Sequence, residues 1–178
     1  FGASMNKNED EDPDTKTIYG DEKINGSTWS FPIYWMKNDQ LVITSPQCPE
    51  GSNTATYKVT CEDGSEYAGQ LQTTGDHGVI WGSSATADFD SVYPAAGASV
   101  NGTTFSVSIP ATQTNTVKFK DNGTQYANPN MDACVMYAKE TGVNNGETVD
   151  LTYNPLSTAL RFTVKGPSSG QGLSEIQV

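Results

Sequence analysis

The chain is built from short runs that alternate apolar and polar residues, cut at close intervals by turn-forming pairs. The run 29–36 places Trp29, Phe31, Ile33 and Trp35 on one alternating face. The run 56–61 does the same with Tyr57, Val59 and Cys61, and Phe105, Val107 and Ile109 alternate up to Pro110. A repeat of two residues is the period of a strand with one buried face. Between the runs stand Asn25-Gly26, Asp63-Gly64, Asn101-Gly102, Asn122-Gly123 and Asn145-Gly146. Such pairs supply the positive φ that tight turns require. No window of the sequence carries a convincing apolar stripe at helical spacing.

The remaining strand candidates are 15–19, 41–44, 67–71, 79–81, 89–93, 117–120, 133–139, 148–153, 160–164 and 176–178. Asp63-Gly64 would join 56–61 to 67–71 as a hairpin. Pro94 and Pro110 close their strands, because proline brings no N–H to a ladder. Many short strands with turns about every 8–12 residues predict an all-β fold, an antiparallel sandwich or barrel.

A chain of 178 residues can enclose one sizeable core. The net charge of −11 is unevenly spread, with seven acidic and two basic residues among the first 22. Residues 6–14 contain no apolar side chain, so 1–14 reads as a disordered acidic tail ahead of a folded domain over 15–178. An acidic chain gains nothing from a phosphate backbone or an anionic bilayer, which argues against nucleic acid and such membranes as partners. No run approaches the roughly 20 apolar residues of a membrane-spanning helix. The opening Phe1-Gly2-Ala3-Ser4 is what a processed secreted chain would present.

Catalytic chemistry has few candidates. His77 is the sole histidine and sits in the turn-like Thr74-Gly75-Asp76-His77-Gly78, with no G-x-S-x-G nucleophile elbow anywhere. Cys48, Cys61 and Cys134 are an odd number, and with His77 they lack the close pairs of structural zinc sites. They read as buried free thiols, with a Cys48–Cys61 bridge as the alternative. Asp88 and Asp90 are spaced like a carboxylate pair on one strand face, yet their strand alternates with Phe89 and should turn both acids to solvent. Phosphate-cradling glycine motifs are missing. Trp29, Trp35 and Trp81 are expected in the core, with a sugar-binding platform as the rival reading. Asp90-Ser91-Val92 fits a short glycan-acceptor pattern of little information. The chain is therefore read as a non-enzyme, with no catalytic, cofactor-binding or metal-ligating residue assigned.

Several segments in order resemble one family. They are 35–45, with Trp35, Asp39 and the strand-like Leu41-Val42-Ile43-Thr44, and Tyr57-Lys58-Val59. Ile80-Trp81 then precedes Ala87-Asp88-Phe89-Asp90-Ser91-Val92-Tyr93-Pro94, and Val107, Ile109, Pro110 and Gln113 follow. Pro129-Asn130-Met131-Asp132-Ala133 comes next, and the series ends on Val149, Leu151, Tyr153, Leu156, Leu160, Phe162 and Val164. Together, over about residues 29–178, they resemble the fimbrillin (Mfa-like) family, the type V pilus subunits of gut and oral Bacteroidetes.

The resemblance implies a transthyretin-like β-sandwich with Greek-key connections, corresponding to the first of two such domains, the C-terminal one being absent from this chain. It implies export as a lipoprotein precursor to the outer surface and head-to-tail assembly with other fimbrial subunits. In that family a protease removes an N-terminal strand, and a strand from the next subunit fills the groove. Arg161 is the sole arginine, so a cut after arginine within the first strands is excluded. The function expected is a fimbrial subunit or an accessory adhesin for host or bacterial surface glycoproteins. The alternative is an outer-membrane glycan-binding lipoprotein.

Overall fold

The computed structural model describes residues 2–4, 18–19, 23–25, 28–30, 32–61, 65–113, 116–119, 125–128 and 134–157, with side chains over 32–61, 67–113 and 134–157. In chain order the strands are β1 (Gly2–Ser4), β2 (Ile18–Tyr19), β3 (Lys23–Asn25), β4 (Thr28–Ser30), β5 (Ile33–Met36), β6 (Gln40–Thr44), β7 (Thr54–Thr60), β8 (Ser65–Glu66), β9 (Ala68–Thr73), β10 (Thr86–Tyr93), β11 (Ala98–Asn101), β12 (Thr104–Val107), β13 (Thr116–Phe119), β14 (Gln125–Asn128), β15 (Met136–Asn144), β16 (Asp150–Thr152) and β17 (Asn154–Pro155). The fold is all-β, and the described residues contain no helix.

Eight strands form one sheet in the order β16-β1-β9-β7-β6-β10-β15-β17, curled into a half-barrel. Its centre is a Greek key. β6, β7 and β9 follow one another as antiparallel neighbours, and β10 returns over a long connection to lie beside β6. The curl brings the sheet's two outermost strands together along the chain, since β16 and β17 are separated by Tyr153 alone. The other strands form short ribbons: β2 with β5 and β8, β3 with β4, β11 with β12, and β13 with β14.

Alternation along these strands decides what is buried. Trp35, Leu41, Ile43, Val59, Phe89 and Met136 meet in the main core inside the curl. β10 has no solvent-facing side over its second half, so its alternate residues feed two cores. Phe89 and Tyr93 enter the main one, while Val92 joins Val42 and Val135 on the opposite face. The β11–β12 hairpin covers that second cluster with Val100, Phe105 and Val107. Its turn uses the expected Asn101-Gly102 pair, Gly102 taking φ +62. Asp39 ties β5 to β6: its carboxylate accepts the Met36 N–H at 2.9 Å and the Tyr93 hydroxyl at 3.2 Å.

Two expectations change. Gly2–Ser4 belong to a strand, although 1–14 reads as disordered; acidity falls on the residues after Ser4, and these three carry none of it. The apolar run 79–81 is not a strand. Its N–H groups go outside any strand ladder, Val79 to the Tyr57 hydroxyl of β7 at 2.8 Å and Ile80 to the Ser52 carbonyl in the preceding loop at 2.9 Å. The expected strands 160–164 and 176–178 and the Asp63-Gly64 turn lie outside the described residues.

Candidate functional site

β1 lies within the large sheet, not at its edge. Gly2, Ala3 and Ser4 pair in parallel with Asp150, Leu151 and Thr152 of β16. On the other side they pair antiparallel with Gln70, Gly69 and Ala68 of β9. This is the one parallel pairing among the described strands, and three residues bridge two strands far apart in sequence. Gly69 fits this position by its lack of a side chain, since a Cβ there would stand 2.4 Å from Val59 Cγ1.

The strand facing β1 is held from the core side by Tyr153, which follows β16. Ser91 Oγ donates to the Val42 carbonyl at 2.8 Å and lies 2.5 Å from the Tyr153 hydroxyl. With the serine proton engaged, Tyr153 is the donor of the second bond. Trp35 stacks edge-on against both Tyr153 and Tyr93, with ring centroids 5.0 and 5.3 Å away. Burial pushes the Tyr153 phenol well above the ordinary tyrosine range.

The carboxylate pair is structural, and the expectation that both acids face solvent is corrected. Asp90 is 2% exposed. It accepts the Tyr137 hydroxyl and pairs with Lys139 Nζ at 3.2 Å. Burial and the neighbouring Asp90 charge push the Tyr137 phenol up to about 12. Asp88 sits where the β10–β15 register shifts, accepting the Gly142 N–H at 2.8 Å on Oδ1 and Gln47 Nε2–H at 3.3 Å on Oδ2. Gln47 Oε1 in turn accepts the Asp88 N–H at 3.0 Å. Both acids act as clamps between strands.

Other candidates separate in the same way. Ser91 is fully buried, so the glycan-acceptor match at 90–92 falls on a hydroxyl no glycan can occupy in the folded chain. His77 is exposed, with Nδ1 3.1 Å from the Gly78 carbonyl. The three cysteines are free and buried, which sets aside a Cys48–Cys61 bridge, and burial pushes the Cys134 thiol up to about 11. Among the described residues no group of three or more His, Cys, Asp or Glu is placed to hold a metal.

Of the tryptophans, Trp35 is in the core, and the Trp29 side chain lies outside the described residues. Trp81 is half-buried and lines a half-open pocket of about 150 Å³ with Cys48, Val79, Phe89, Glu147 and Val149. Sequence reading missed this pocket because its walls come from four separate segments. It also missed the place of Gly2–Ser4, whose small residues carry no strand signal.

Comparison with protein-family models, with curated proteins and with solved structures returns no match to this chain.

Proposed function

We propose that this chain is a structural subunit or accessory adhesin of bacterial surface fimbriae, exported to the cell surface, that assembles by exchanging a strand after N-terminal processing. The observation that carries the reading is the place of Gly2–Ser4 between β9 and β16. A strand this short contributes few hydrogen bonds, and residues 5–17 separate it from β2 in sequence. Its removal would leave the facing edges of β9 and β16 unpaired over three residues each. Unpaired edges template the pairing of another chain. A strand donated by the next copy makes a heterologous contact that does not close on itself, and so a filament. The resemblance of residues 29–178 to fimbrillins points the same way.

The test compares the 178-residue chain with one starting at Thr15. The shorter chain should form higher oligomers, and a peptide of residues 1–14 supplied in excess should return it to monomers. A shorter chain that stays monomeric with an unchanged denaturation midpoint contradicts the reading.

A second reading, a surface glycan-binding lipoprotein, rests on the half-buried Trp81 ring as a stacking face alone, since the apolar walls beside it give a sugar's hydroxyls no partners. Saturable binding of a simple hexose or N-acetylhexosamine there, lost on Trp81→Ala, would support it over the first.

A further inference from the structure

The pocket at Trp81 is lined by Cys48, Val79, Phe89, Glu147 and Val149 besides the indole itself, and its chemistry is specific. Its floor is buried: Phe89 and Val149 belong to the main core, and Cys48 is buried as well. Val79 and Trp81 form half-buried walls. The indole is held in place, its ring 5.6 Å from that of Phe89 and its Nε1–H donated to the Ser84 carbonyl at 2.9 Å. The tryptophan therefore offers the pocket π surface and no hydrogen-bond donor.

Among the described residues, one charged group lines the cavity. Glu147 is exposed, which places it at the rim, and its Oε2 accepts both the backbone N–H and the Nδ2–H of Asn144 at 3.0 Å. Those bonds fix the carboxylate and hold it below the usual range, so it is an anion at neutral pH. Among the described residues, no lysine, arginine or histidine lines the pocket to neutralise it.

An apolar aromatic cavity with a fixed anion at its mouth complements a cation on an apolar stem. The volume is well below the ~300–1,000 Å³ of pockets that take drug-sized ligands, and suits one side chain. A sugar ring is disfavoured, because its hydroxyls would lie unpaired against Val79, Phe89 and Val149. An anionic group would meet Glu147. The chain's net charge of −11 further draws a basic partner. We propose that this pocket receives the side chain of a lysine presented by a partner protein, its stem against Trp81 and Phe89 and its ammonium beside Glu147.

The probe is Nα-acetyl-lysine N-methylamide, titrated into 15N-labelled protein while the Trp81 indole N–H resonance is followed. That resonance is assigned by its loss in Trp81→Phe. The expected result is a saturable shift, with the norleucine counterpart about fivefold weaker. Glu147→Gln, a surface change, should bring the two probes to equal affinity and remove the salt dependence of lysine binding. The proposal is overturned if norleucine binds as tightly as lysine to the unmodified protein. No saturable shift up to ~50 mM probe overturns it too, as does an N-acetylhexosamine saturating the site in place of lysine.

Discussion

Ser91 and Tyr153 meet hydroxyl to hydroxyl at 2.5 Å, joining the middle of β10 to the single residue between β16 and β17. The bond crosses the core at the point where the curled sheet comes back on itself. Because Ser91 gives its proton to Val42, the bonds run in series from Tyr153 through Ser91 to the Val42 carbonyl.

The series makes the two hydroxyls unequal. Tyr153→Phe leaves Ser91 still donating to Val42 and should cost about 1 kcal/mol. Ser91→Ala leaves the buried Tyr153 hydroxyl without its acceptor and should cost about 2 kcal/mol. Urea denaturation of both variants checks the order. Equal losses would mean that Tyr153 finds another acceptor.

At the β10–β15 register shift, Asp88 and Gly142 make separable contributions. Gly142 has φ +68, and a Cβ there would meet nothing within 4 Å. Gly142→Ala should therefore cost only the backbone strain, about 1–2 kcal/mol. Asp88→Ala removes the acceptor of the Gly142 N–H and of Gln47 Nε2–H, and should cost a comparable amount, about 1–2 kcal/mol. Since both act on one bulge, the double variant should lose less than the sum of the two, which a double-mutant cycle in urea measures.

Alkaline pH should unfold this protein through its buried acids. Burial raises Tyr57 and Tyr153, raises Tyr137 to about 12, and raises the Cys134 thiol to about 11. A raised folded-state value means the native chain holds these protons more tightly than the unfolded one. Their stabilisation is thus complete below the unfolded values of 9.0 for the thiol and 10.0 for the phenols. It is lost as pH rises from there through the folded values. Urea midpoints should fall steadily above about pH 9, and Tyr153→Phe should make that fall shallower.

Much of the fold is legible in the sequence, for a reason visible in particular strands. Residues 41–44, 56–60 and 105–107 alternate, or run apolar, with turn pairs beside them, and alternation is a local signal that the sheet then buries. The Asp88 and Asp90 environments are not local. Spacing alone cannot tell that Gln47, Gly142, Tyr137 and Lys139 converge on these acids, because each partner is 41 to 54 positions away. Gly2–Ser4 are illegible for a different cause. Their pairing is decided by the two edges that receive them, and glycine, alanine and serine carry no preference for a strand. The Trp81 pocket is missed because 79–81 has strand composition, yet its N–H groups go to the Tyr57 hydroxyl and the Ser52 carbonyl instead of a ladder.

Strand exchange between copies is tested most directly on native protein from the producing cells, run on a denaturing gel with and without boiling, with N-terminal sequencing of each band. The account predicts a ladder that collapses to one band on boiling, with an N-terminus lying beyond Ser4. A single monomer band under both conditions, still beginning ahead of Gly2, would contradict it.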